Sequence, residues 1–164
     1  MNRTPNALQI FFHRVAALKP VSRLLSRILQ PADDFILFLT RGKHTFAELL
    51  LPTIVVETVG ARTGERRTHP LGGFVDGDKY ILVGTNFGSQ HHPAWVHNLR
   101  AHPQCVVHAH GSTGNYIARE AEGEQREKYR QLAISYYHAY EIYEQRAAPR
   151  KIPVWILEPI SASS

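Results

Sequence analysis

Six short runs rich in β-branched and aromatic residues, most of them joined by very short connections, constrain this chain's fold more than any other feature. The runs are Thr53–Val59, Thr68–Val75, Lys79–Asn86, Gln104–His110, Thr113–Glu120 and Ile152–Glu158. A parallel pair needs a crossover of about a dozen residues or more, and most gaps here are too short for one. Asp76-Gly77-Asp78 and Gly111-Ser112 suit tight hairpin turns, because Asp and Gly accept the dihedrals such turns demand. The pattern predicts an α+β chain, a small barrel of about six mostly antiparallel strands with flanking helices. A short helix is expected over Pro93–Ala101, with proline in its first turn. A longer polar helical region spans Glu122–Ala147 and carries Tyr129, Tyr136, Tyr137, Tyr140 and Tyr143.

With 164 residues the chain is one domain. It divides into an N-terminal helical segment, 1–51, on or flanking the barrel, and the barrel itself, 52–164. Residues 5–29 read as helical from Leu8, Phe11, Phe12, Val15, Leu18, Leu24, Leu25 and Ile28, with Pro20 between two helices. Residues 1–51 hold seven Lys/Arg against three Asp/Glu. Such a segment either packs across the sheet or touches an anionic membrane surface peripherally. No signal peptide and no run of about 18 apolar residues is visible, which points to a cytoplasmic protein. The single cysteine, Cys105, cannot form an intramolecular disulfide, and its place in an apolar strand predicts a buried, inert thiol. The net charge of +5 calls for an anionic partner. No nucleic-acid-binding signature is present, so a small anionic ligand is the better match.

The turn after the first run, Gly60-Ala61-Arg62-Thr63-Gly64-Glu65-Arg66-Arg67, combines two glycines with three arginines. Glycine allows positive φ and close backbone approach, exposed amides form an anion nest, and guanidinium forks match phosphate or carboxylate. A second segment, Gly84 to Leu99, leads from a strand end into a helix start, where free amides and the dipole favour an anion. There Trp95 offers an aromatic plane and His97 and Asn98 offer donors. Together the segments suit a flat, anionic, heteroaromatic cofactor. His91, His92, His97, His108 and His110 lack a Cys or carboxylate at matching spacing, so no metal site is expected.

These segments resemble the deazaflavin-dependent nitroreductase family, also called the F420-dependent quinone reductases, which has a split β-barrel fold. The likeness rests on G-A-R-T-G-x-x-R-x-x-P-L at Gly60–Leu71, D-G-D at Asp76–Asp78, and T-N-x-G…H-P-A-W-x-x-N-L over Thr85–Leu99. It continues through Arg100-Ala101-His102-Pro103, Tyr137…Tyr140…Tyr143 and Ile152-Pro153-Val154…Leu157-Glu158-Pro159, covering about residues 36–159. The resemblance implies that Arg62, Thr63 and Arg67 hold the phosphate and oligoglutamate tail of coenzyme F420. Thr68, His69, Pro70, Leu71 and Gly72 would line the ring, and Val83, Gly84, Thr85 and Asn86 would close on it. Ala94, Trp95, Val96, His97 and Asn98 would complete the pocket, with Tyr140 capping it. The best-known nitro-reducing members have tyrosine where Gly72 stands and lysine where Asn86 stands, which weakens any specific link to nitro substrates.

The implied reaction is hydride transfer from reduced F420 to a small-molecule quinone, enone or nitroaromatic acceptor. Thr85, Tyr137, Tyr140 and Tyr143 are the expected catalytic residues, Thr85 at the reacting edge and a tyrosine placing the acceptor or giving a proton. The tyrosines read equally as helix packing. Two other readings remain at this level: a reductase on the same barrel using FMN, and a non-enzymatic lipid or fatty-acid binder.

Overall fold

A computed structural model describes residues 53–160. The helices expected over 5–29, the 1–51 unit and its membrane contact lie outside the described residues. The strands are β1 (Thr53–Val59), β2 (Arg66–Asp76), β3 (Lys79–Val83), β4 (Gln104–Ala109), β5 (Ser112–Glu120) and β6 (Val154–Pro159). Three α-helices accompany them: α1 (Ala94–Ala101), α2 (Gly123–Tyr136) and α3 (Ala139–Ala147). The sheet closes in the order β1-β2-β3-β6-β5-β4, and every neighbouring pair is antiparallel.

Strand alternation separates two cores. Residues opposite one another across an antiparallel pair share a face, and the next pair along points the other way. Leu82 faces Trp155 and Tyr80 faces Leu157 in register, and this set joins Ile54, Val56 and Val107 in one cluster. The same cluster takes in Trp95, Val96 and Leu99 of α1. Ile81 faces Ile156, and that set packs with Phe74 and Val154 against Tyr129, Ala133, Tyr137, Tyr140 and Tyr143 of the α2–α3 region. Helix α1 thus belongs to one core, and α2 and α3 lie over the opposite face of β3 and β6.

The differences from expectation have local causes. The expected third strand, Lys79–Asn86, ends at Val83, and a short 3-10 turn follows at Asn86–Gly88. Asn86 and Phe87 there take φ of 47° and 53°, left-handed values no strand accommodates. The Glu122–Ala147 region is two helices rather than one, because Tyr137 takes an extended backbone (φ −144°, ψ 92°) as its N–H caps Ala133 O. β2 begins earlier than expected, since Arg66 and Arg67 continue the ladder opposite Val59 and Thr58. It pairs with β1 over 66–72 and with β3 over 73–76, so Pro70 lies in the half that β3 does not reach.

Candidate active site

The β1–β2 connection is a compact loop. Gly60 N–H donates to Glu65 O at 2.8 Å and Gly64 N–H to Gly60 O at 2.9 Å, with Gly64 at φ +69°. Ala61 N–H donates to Asn98 Oδ1 at 3.0 Å, and Glu65 N–H reaches Thr63 Oγ1 at 3.4 Å. The expected nest is therefore narrower than the whole turn: among the described residues, the N–H groups of Arg62 and Thr63 are the ones with no hydrogen-bond partner.

Asn98 ties this loop to α1. Its Nδ2 donates to Thr58 Oγ1 at 2.9 Å, and Thr58 Oγ1 lies 2.9 Å from His69 Nε2. Both Asn98 and Thr58 are buried. A donor at Ala61 identifies the facing Asn98 atom as the carbonyl oxygen, which leaves the amide nitrogen for Thr58. The expected pocket residue Asn98 thus spends its amide within the protein and sets where Ala61–Thr63 sit.

Between the loop, β2 and α1 lies a cleft of ≈ 810 Å³ lined by Gly60, Ala61, Arg62, Thr63, Arg67 and His69 on one side. Ala94, His97, Asn98, Arg100 and Ala101 of α1 line the other. Among the described residues no carboxylate lines it. Arg62 makes no ion pair among the described residues, Arg67 meets Glu65 Oε2 at 2.6 Å, and Arg100 meets Glu120 Oε2 at 2.9 Å.

The expected residues divide into three groups. Arg62, Thr63, Arg67, His69, Ala94, His97 and Asn98 line the cleft together. Thr68, Pro70, Leu71 and Gly72 run on along β2 opposite Glu57, Val55, Ile54 and Thr53. Val83 and Gly84 follow the Gly73–Leu82 pair, so the end of β3 lies beside Gly72. A Cβ on Gly84 would stand 2.8 Å from Pro153 Cγ and 3.1 Å from Val96 Cγ2, so close packing there requires glycine. Trp95 and Val96 do not line the cleft. They are core residues of α1, and the Trp95 ring meets Trp155 edge-on at 6.4 Å.

Tyr137, Tyr140 and Tyr143 are also enclosed. Tyr137 Oη and Tyr143 Oη are 3.3 Å apart, and the Tyr137 and Tyr140 rings meet edge-on at 5.3 Å. Burial raises all three hydroxyls above the ordinary tyrosine range, making each a weaker acid. None of them lines the cleft. Cys105 is buried as expected, and burial pushes its thiol up to about 12. Among the described residues no group of three or more metal-ligating side chains comes together.

Two arginines assigned no role from sequence shape the site. Arg100 lines it, on the same helical stripe as Ala94, His97 and Ala101. Arg150 reaches back some sixty residues: Nε donates to Ser89 O at 2.9 Å, Nη1 to Gly84 O at 3.1 Å and Nη2 to Thr85 O at 2.8 Å. It holds the segment that leads from β3 into α1. Burial lowers the Arg150 pKa, and burial first, then Arg100, lowers that of His92 nearby. The stripe periodicity of α1 was a readable signal for Arg100; nothing local signalled Arg150.

A closed six-stranded antiparallel barrel, with a cleft against one helix to which the described residues contribute three arginines and no carboxylate, defines a split-barrel protein suited to an anionic ligand. Comparison with known proteins narrows that class. The family model described as F420H(2)-dependent quinone reductase matches residues 36–159. An F420H(2)-dependent quinone reductase of Mycobacterium tuberculosis is 29% identical over 109 residues, 65% of this chain and 72% of that protein. A solved F420-H2 dependent reductase, FDR-A, is 35% identical with a TM-score of 0.61, over 65% of this chain and 94% of that one. A structure described as a domain-swapped dimer is 32% identical with a TM-score of 0.63, over 84% and 96%. The chain belongs to the F420H(2)-dependent quinone reductase family, an oxidoreductase whose cofactor is coenzyme F420. The residues present fit that group: the cofactor is a polyanion, and the described residues set three arginines and no carboxylate on the walls of the cleft.

Proposed function

We propose that the 60–65 loop, the first half of β2 and helix α1 hold the phosphate and acidic tail of F420. The chain then serves hydride transfer from the reduced cofactor to a quinone. The observation that carries this reading is the charge of the cleft: among the described residues Arg62, Arg67 and Arg100 line it, no carboxylate does, and Arg62 has no ion-pair partner. FMN, with one phosphate and no acidic tail, would leave this supply of cations largely unused.

When bound and reduced, the deazaflavin supplies the hydride, and the protein supplies binding and orientation. Arg62 grips an anionic oxygen with its fork, aided by the N–H groups of Arg62 and Thr63. Arg67 shares its charge between Glu65 and the ligand, while His69 and His97 donate from facing walls. Thr68 to Gly72 on β2 and Val83 to Asn86 beside them form the surface for the ring. The Thr85 hydroxyl would meet the reacting edge, on a segment whose backbone Arg150 holds through the Thr85 carbonyl. Tyr137, Tyr140 and Tyr143 build the wall behind this segment, and burial, which makes their hydroxyls weaker acids, favours a role in placing the acceptor over delivery of a proton. The hydride would deliver two electrons and one proton to the quinone, and a second proton from solvent would complete the hydroquinone.

The test is oxidation of reduced F420 by a soluble naphthoquinone, read from the returning fluorescence of the oxidised deazaflavin. The native chain should turn over. Arg62→Gln should raise KM for the cofactor about tenfold with kcat little changed, the pattern of lost uniform binding by one charge-assisted hydrogen bond. An unaltered KM in that variant would remove the cleft from the cofactor site.

A further inference from the structure

We infer that Arg100 is an exchangeable anchor for the cofactor's anionic tail, and that Glu120 is an internal competitor holding it until the tail arrives. The inference rests on the reading of the cleft just given and extends it to the α1 wall. That wall contributes Ala94, His97, Asn98, Arg100 and Ala101. Of these, Asn98 has its amide engaged by Thr58 and Ala61, and the alanines carry no polar group. Arg100 is therefore the wall's permanent cation, facing Arg62 and Arg67 across the cleft.

The tether on Arg100 is a weak one. Nε at 3.2 Å and Nη2 at 2.9 Å both donate to the same oxygen, Glu120 Oε2, and Nη1 has no partner among the described residues. The side chains of Arg100 and Glu120 remain 41% and 37% exposed, so water screens their attraction and the pair adds little net stability. Glu120 is the last residue of β5 and does not line the cleft. Arg100 also sits in the last turn of α1, where the helix dipole favours a cation whether or not a carboxylate is near. Leaving Glu120 is therefore cheap for Arg100. An anion in the cleft gains a planar fork on the wall opposite Arg62, and only a ligand with charge to spare along its length engages both walls. A single phosphate cannot.

The experiment measures equilibrium affinity for F420 by the polarisation of its own fluorescence, without turnover. Four proteins are compared with the native chain: Arg100→Gln, Glu120→Gln, the double variant, and Arg62→Gln as a marker of the cleft. Arg100→Gln should weaken binding about fivefold to tenfold. Glu120→Gln should tighten it about twofold to threefold by removing the competitor, and that gain should vanish when Arg100 is already Gln. A deazaflavin lacking phosphate and glutamates should bind all four with the same affinity. The opposite signs matter, because a purely structural pair would weaken binding from either side. Weakening in both single variants, or no change in either while Arg62→Gln binds poorly, overturns the anchor and leaves the cleft intact. No change in Arg62→Gln as well overturns the cleft reading and the anchor with it.

Discussion

Asn98 sits between a hydroxyl on β1 and a backbone N–H in the β1–β2 loop, with almost no access to water. Removing the side chain would leave the buried Thr58 Oγ1 without its Asn98 donor and the partly buried Ala61 N–H without its acceptor. Asn98→Ala should therefore cost about 2–3 kcal/mol, measured as a lower urea midpoint at unchanged m. Asn98→Asp keeps the acceptor for Ala61 but cannot donate to Thr58, and it brings a negative charge into a cleft meant for anions. Its loss of F420 affinity should exceed its loss of stability, and the reverse order would count against the loop's role. The residue types were readable from sequence here, whereas the contacts were not. Arg62, Thr63, Arg67, His69 and His97 announce anion chemistry by type and spacing. The partners of Asn98, 37 and 40 residues away, depend on how α1 seats in the barrel. For the same reason Trp95, expected to face the ring, is spent on the core.

At the scale of elements, the segment between β3 and α1 is irregular, carries two non-glycine residues with positive φ, and is held from a distance. Arg150 satisfies three of its carbonyls, and Gln90 Nε2 ties it to Arg146 O at 2.8 Å and Ala148 O at 3.1 Å beside the end of α3. The Phe87 ring adds an edge-on contact with Tyr143 at 6.2 Å. A guanidinium can reach three oxygens in one plane, while an ammonium cannot hold that geometry. Arg150→Met should cost about 2 kcal/mol, the scale of charged hydrogen bonds partly repaid by water. Amide exchange should accelerate first at residues 84–92, ahead of the strands. Uniform acceleration across the barrel would show that Arg150 supports the fold and not this segment. Sequence reading placed this stretch beside the site but took Lys79–Asn86 as one strand, because Thr85 and Asn86 look like strand-end residues until tertiary contacts force them to turn. Helix α1, by contrast, was readable to within a residue, since its apolar stripe and leading proline are local signals.

For the whole molecule, the small antiparallel barrel followed from six strand-like runs and their short connections, while its closure and the charged links between its strands and helices are visible only in three dimensions. Asp76, in the β2–β3 hairpin, accepts from Lys128 Nζ at 2.8 Å and Tyr129 Oη at 2.9 Å on α2. Glu158 on β6 accepts from Lys79 Nζ of β3 at 2.7 Å and from Arg119 of β5 at 3.3 Å. The Lys128 hydrogen bond, then that of Tyr129, holds Asp76 below its ordinary 3.8. The Lys79 bond, then that of Arg119, holds Glu158 below 4.5. Both carboxyls bind protons more weakly folded than unfolded. Their contribution is therefore complete above the unfolded values and disappears as pH falls through the lower folded ones. Thermal melts followed by circular dichroism should show a midpoint nearly flat from neutral pH to about 5, then falling below about 4. Asp76→Asn should start lower at neutral pH and descend less steeply in acid, because the group whose protonation costs stability has been removed. Glu158→Gln should behave alike, and because Lys79 binds Glu158 and its charge also acts on Asp76, the two effects should add only approximately. Acid slopes equal to the native one in both variants would mean that other carboxylates, not these links, set the barrel's acid limit.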